Sequence, residues 1–141
     1  MNRLLLAAAV SSLIAIATPA QAACNASTVK GAFGFGATDE DYDMKTPSFI
    51  IGRVIFDGVN KVTLSNGKVS DYGQATSFTG SGSYTLSANC AGSSSVTLND
   101  GSRVRFDFIA TGTPSDIELY LLISSATEGF SGQGSARKIT F

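Results

Sequence analysis

The 141-residue chain has no histidine and no tryptophan, only three prolines and only two cysteines. Without histidine it lacks the side chain that titrates nearest neutral pH, the commonest general base and a frequent metal ligand. Two cysteines far apart, Cys24 and Cys90, cannot close a zinc site without it, so no metal site is expected. Serines are many, but none stands in a Gly-x-Ser-x-Gly setting that would expose a nucleophile, and nothing in the chain implies a cofactor. There is no basic excess either: 10 Lys and Arg against 11 Asp and Glu give a net charge of −1. Nucleic-acid binding needs lysines and arginines to displace phosphate counterions, so no nucleic-acid partner is expected.

What the chain has begins at its N-terminus. Arg3 gives a positive start, Leu4–Ala17 is an apolar run broken only by Ser11 and Ser12, Pro19 ends any helix, and Ala20-Gln21-Ala22 is a small-x-small cleavage signal. These are the three parts of a secretory leader. Its apolar core, about 14 residues, is shorter than the ~20 a membrane helix needs. Gln21 stands where a lipoprotein signal has leucine, so lipidation of Cys24 is not expected. Residues 1–22 therefore read as a cleaved signal peptide and residues 23–141 as one domain, periplasmic or secreted. In such an oxidising compartment, Cys24 and Cys90 are most simply one disulfide. Closing a loop of that length is worth about 4 kcal/mol in chain entropy, and reducing it should loosen the whole domain. The sequon Asn25-Ala26-Ser27 is taken as coincidence behind a bacterial-type leader.

Beyond the leader the apolar period is near two, punctuated by Gly, Asn, Asp and Pro, and no helix is expected. Lys30–Ala37 reads as a strand with Phe33 and Phe35 on one face. Thr38–Pro47 is a polar loop; its acids Asp39, Glu40, Asp41 and Asp43 lack the spacing and glycine of a calcium loop. Ser48–Asp57 is a strongly β-prone strand, Asp57-Gly58-Val59-Asn60 is a turn, and Lys61–Ser65 returns. Asn66-Gly67 reads as a tight turn or a bulge before Tyr72. Ala75–Leu86 is the next strand, Asn89–Gly92 a turn, Ser94–Leu98 a short strand, and Asn99-Asp100-Gly101 a hairpin turn. Ser102–Thr111, Ile117–Ser124 and Gly129–Phe141 complete the set. These are about eight strands in hairpin succession, and no connection is long enough for a crossover helix. The sheet should be antiparallel, and closing it removes its exposed edges. The expected fold is all-β, a meander closed into a small barrel. A two-sheet β-sandwich needs the same alternation and is the alternative.

Several stretches carry a resemblance. Ser27-Thr28-Val29-Lys30-Gly31-Ala32-Phe33-Gly34-Phe35 precedes Gly52-Arg53-Val54-Ile55-Phe56-Asp57-Gly58. Gly82-Ser83-Tyr84-Thr85-Leu86 follows, with Asn89-Cys90-Ala91-Gly92 after it. In that order they resemble a group of small secreted bacterial proteins of calycin-type or allene-oxide-cyclase-like barrel form. The resemblance implies the barrel more than an activity, because one fold hosts many functions.

Nine Phe and four Tyr suffice to line a small barrel, whose interior is either packed or a pocket for one ligand. The expected inward residues are Phe33, Phe35, Phe78, Tyr84, Phe106 and Phe108. Arg53 lies in a strand with apolar residues on both faces, so it is placed with them as a cavity candidate, with Glu118, itself a cavity candidate, or a ligand carboxylate as its partner. Arg105 and Asp107 should face outward. The terminal Phe141 suggests an outer-membrane strand, but Gln133, Ser135 and Arg137 share its face and no aromatic girdle accompanies them, so membrane insertion is not expected. The leading expectation is an exported barrel that binds a small apolar or amphipathic ligand without catalysis. A barrel isomerase or cyclase acting on a hydrophobic substrate, and a structural or adhesive surface protein, are the alternatives. The sequence is silent on oligomeric state.

Overall fold

The computed structural model describes residues 23–39, 48–71, 73–124 and 131–140. The expected leader, the acids Glu40, Asp41 and Asp43, and Phe141 lie outside the described residues. The strands are β1 (Gly31–Asp39), β2 (Ser48–Phe56), β3 (Lys61–Asp71), β4 (Gln74–Leu86), β5 (Ala91–Leu98), β6 (Arg103–Thr113), β7 (Asp116–Ser124) and β8 (Ser131–Lys138). Each pairs antiparallel with the next, and β8 pairs with β1 from Phe33↔Lys138 to Asp39↔Gly132. That last ladder closes the barrel and rules out the sandwich.

Alternation assigns the two faces. In β7, Ile117, Leu119, Leu121 and Ile123 are buried inside, while Tyr120 and Leu122 are exposed outside. In β6 the buried Phe106, Phe108 and Ala110 alternate with outward Arg105, Asp107 and Ile109. Arg105 and Asp107 pair with each other on the outer wall at 3.1 Å. Local chemistry fixes the turns. The Asp57 carboxylate oxygen Oδ1 accepts the N–H groups of Val59, Asn60 and Lys61 at 2.8, 2.9 and 2.9 Å, which holds Gly58 at φ +87. Asn99 exchanges two hydrogen bonds with the Thr79 backbone, so the β5–β6 turn is clamped onto β4. Asn66-Gly67 is a bulge. Asn66, at φ 52, is the extra residue of β3 against both β2 and β4. A bulge bends and twists its strand, which aids closure of a small barrel.

Two features depart from the sequence reading. Ala91 and Gly92, expected in a turn, already pair as the start of β5. Ala26–Val29 forms a 3₁₀ turn where no helix was expected. Asn25 caps it: its side chain accepts the Ser27 N–H at 3.0 Å, and the Thr28 hydroxyl accepts the Asn25 N–H at 3.0 Å. The first residue of the sequon triplet thus forms a reciprocal helix cap with Thr28, satisfying donors that the turn leaves unpaired.

The 3₁₀ turn plugs one end of the barrel. Val29 is wholly buried in the core, and the Tyr84 hydroxyl donates to the Ala26 carbonyl at 2.8 Å. Cys24 is disulfide-bonded to Cys90, with 5.1 Å between Cα atoms, and its N–H donates to the Ala88 carbonyl at 3.1 Å. The N-terminal segment is therefore anchored to the β4–β5 turn by the disulfide and one hydrogen bond, and to strand β4 by a second hydrogen bond.

Candidate binding site at the end opposite the plug

In an up-and-down meander the β2–β3, β4–β5 and β6–β7 turns share the plugged end. The β1–β2, β3–β4, β5–β6 and β7–β8 connections share the other. The two halves of the interior are built differently.

The plugged half is solid. Phe56 is the centre of an aromatic cluster, with ring centroids 5.8 Å from Phe33, 4.8 Å from Tyr84 and 5.5 Å from Phe108; Phe106 lies 6.4 Å from Phe108. The Phe33 and Tyr84 contacts are edge-on, a favoured geometry for rings whose faces and edges carry opposite partial charge. Phe33, Phe56 and Leu119 are among the largest side chains sealed from solvent. Four of the expected lining residues, Phe33, Tyr84, Phe106 and Phe108, thus belong to packed core. Phe56, which the sequence reading did not single out, sits among them.

Toward the other end the inward residues are apolar but only half-buried. They are Phe35 of β1, Val69 of β3, Phe78 of β4, Leu98 of β5 and Val104 of β6, all packed on the core cluster. Ile50 and Ile123, buried, stand beside them on β2 and β7. Glycines make room for the rings here. Phe35 is the cross-strand partner of Gly52, and a Cβ on that glycine would lie 2.8 Å from Phe35 Cε1. Phe78 covers its partner Gly67 more tightly still. A side chain at either glycine would displace the ring. Each ring thus packs over its cross-strand glycine, as aromatic residues do when they shield a strand glycine.

Arg53 and Glu118 are not in this site, which corrects the sequence expectation. Arg53 pairs with Gly34 and Ser65 on the outer wall, because closure of the barrel turns Val54 and Phe56 inward. Glu118 also points outward, where its carboxylate accepts from Arg137 Nε at 3.3 Å. Arg53 and Glu118 are separated along one outer row by Gly34 and Arg137, so neither is the other's partner.

Polar chemistry inside is sparse and engaged. Burial pushes the Tyr84 phenol upward, with a smaller push from the Asp57 charge, and its proton is directed at Ala26. The buried Ser94 hydroxyl donates to the Phe106 carbonyl at 3.4 Å. Among the described residues no group of three or more His, Cys, Asp or Glu could hold a metal.

No protein-family model and no curated protein matches the chain. Among solved structures it is similar to a de novo designed fluorescence-activating β-barrel. The TM-score is 0.48 at 16% identity, over 82% of this chain and 99% of that one.

Proposed function

We propose that this protein is an exported, disulfide-tethered β-barrel that binds one small apolar or amphipathic molecule at the end opposite its plug. The observation that carries this reading is the asymmetry of the interior. Phe35, Val69, Phe78, Leu98 and Val104 are inward, apolar and within reach of solvent, while the plugged half is sealed around Phe56. Ligand sites are typically apolar concavities with few polar groups. Binding is favoured over isomerase or cyclase chemistry because the Tyr84 and Ser94 hydroxyls are already given to backbone carbonyls. Export is supported by the leader-like sequence of residues 1–22 and by the disulfide, since disulfides persist in oxidising compartments.

Titration with an environment-sensitive apolar fluorophore tests the reading. One molecule should bind per chain, a medium-chain fatty acid should compete for the site, and Leu98→Lys or Val104→Lys should abolish binding while circular dichroism stays unchanged. Absence of saturable binding, or binding indifferent to both substitutions, overturns it.

A further inference from the structure

Phe108, Phe78 and Phe35 each sit on a glycine of a neighbouring strand, respectively Gly92, Gly67 and Gly52. For Phe78 the geometry fixes how. Its ring atoms Cδ2, Cε2 and Cζ are consecutive, and they lie at nearly equal distances, none beyond 2.6 Å, from the point a Gly67 Cβ would occupy. Within the plane of a phenyl ring only its centre is equally far from three consecutive carbons, and the centre is much closer to each. The point therefore lies above the face, and the ring is face-on over the Gly67 backbone. Gly67 and Phe78 pair on the inward side of β3 and β4, so the second face of the ring is turned toward the lumen. Phe35 covers Gly52 with Cε1 and Cζ 2.8 and 3.0 Å from the corresponding point, which is itself 3.1 Å from the Gly67 Cα. The two glycines are neighbours, and the rings over them make one aromatic panel across β2 and β3.

What covers these rings separates the two halves of the barrel. In the sealed half, Phe108 goes on from Gly92 to meet Phe56 and Phe106, with 5.5 and 6.4 Å between ring centroids. Phe35 and Phe78 meet no other ring among the described residues, and both are only half-buried. In a closed ring of eight strands, β6 and β7 stand opposite β2 and β3. The inward residues there, toward the open end, are the aliphatic Val104 and Ile123. The β5–β6 turn is clamped at Thr79, next to Phe78, so the rim is low beside this ring.

We propose that the molecule bound at the end opposite the plug is a planar aromatic, lying against the Phe35–Phe78 panel with Val104 and Ile123 over its other face. The proposal rests on the binding reading above and narrows it to a ligand class. Two physical reasons favour a flat molecule over a flexible chain of the same size. A phenyl face carries partial negative charge and attracts the positive edge or offset face of a second ring, a contact that an alkyl chain does not supply. A rigid ligand also arrives already ordered, whereas a chain must give up rotamer freedom to bind. The ligand would then do for Phe78 what Phe56 does for Phe108.

Calorimetric titration of the disulfide-bonded protein with β-naphthol and with n-decanol tests this. The two have the same number of carbons and one hydroxyl each, and only the first is flat. β-Naphthol should bind at least about fivefold more tightly, the worth of one aromatic face contact. Its ring protons should also move upfield in NMR spectra, because they enter the shielded region above a phenyl face. Phe78→Leu and Phe35→Leu keep a side chain over the glycine but remove the face. Each should bring the ratio of the two affinities down to about twofold or less, with circular dichroism checking that the variant is folded. If n-decanol binds as tightly as β-naphthol, or the ratio survives both substitutions, the planar class is overturned while the binding site stands. A bound β-naphthol without the upfield shift overturns it in the wild type alone. If neither molecule binds saturably, the binding reading falls and this proposal falls with it.

Discussion

The Tyr84 hydroxyl reaches out of β4 and holds the Ala26 carbonyl at 2.8 Å. That bond joins a strand of the barrel wall to the turn that plugs it. It satisfies the one polar atom that Tyr84 carries into the core and fixes Val29 beneath it. Tyr84→Phe keeps the ring edge-on to Phe56 but leaves the carbonyl unpaired, and should cost about 1 kcal/mol of stability. Denaturant unfolding checks the global loss, and faster amide exchange at Lys30, whose N–H donates within the plug to Ser27, checks its location. Unchanged exchange there would mean that the plug is held by something else.

The disulfide acts on the same element. Removing it with Cys24→Ser and Cys90→Ser should cost up to about 4 kcal/mol, because the unfolded chain regains the entropy of a long loop. Below the melting transition, however, the closed ladders do not depend on it. Amides of β6 and β7 should stay protected in the variant while those of residues 27–30 exchange quickly. Loss of protection throughout would mean that the bond holds the wall as well as the plug.

Phe108 lies over its partner Gly92 so closely that a Cβ on the glycine would overlap the ring. Gly92→Ala should therefore destabilise by about 1–3 kcal/mol through overpacking. A smaller side chain at position 108 should recover part of that loss, so Gly92→Ala with Phe108→Leu should be less destabilised than the sum of the two single changes. Strict additivity in a double-mutant cycle would contradict the contact.

Stability should depend on pH only at the extremes. The Asp57 carboxyl is held below its ordinary value, chiefly by the Val59 N–H and further by those of Lys61 and Asn60. Asp107 is lowered first by the Ser93 hydroxyl and then by Arg105. A depressed folded value means that the stabilisation is present above about pH 4, the unfolded value, and is lost as pH falls through the folded one. Tyr84 is raised, so its contribution holds below about pH 10 and is lost above it. With no histidine in the chain, melting temperature should be flat from about pH 5 to 8. Asp57→Asn should shrink the acid loss, and Tyr84→Phe the alkaline one. A transition near neutral pH would contradict this assignment.

Most strands could be read from the sequence because β6 and β7 alternate cleanly, and hairpin signals such as Asn99-Asp100-Gly101 separate them. The 3₁₀ plug was missed because a four-residue turn has no periodicity to display. Its only signal is the i, i+3 spacing of Asn25 and Thr28, which suits a capping box and overlaps the sequon Asn25-Ala26-Ser27. Arg53 was misplaced for a different reason. Ile50, Ile51, Val54, Ile55 and Phe56 make both faces of β2 apolar, so alternation gives the pairing of faces but not which face is inside. Closure against β1 and β3 decides that. The same ambiguity concealed the outward Phe49 and Ile51. The division of the interior into a sealed and a solvent-reachable half follows from where the chain returns to plug the barrel, which no local pattern encodes.

The most direct test of the binding site is a methyl-resolved NMR titration with a medium-chain fatty acid. Binding opposite the plug predicts that the methyl groups of Val69, Leu98 and Val104 shift together and saturate at one ligand per chain, while those of Val29, Val62 and Leu119 in the sealed half stay in place. Shifts confined to Ile51, Ile109 and Leu122 on the outer wall, or no saturable shift at all, would contradict it.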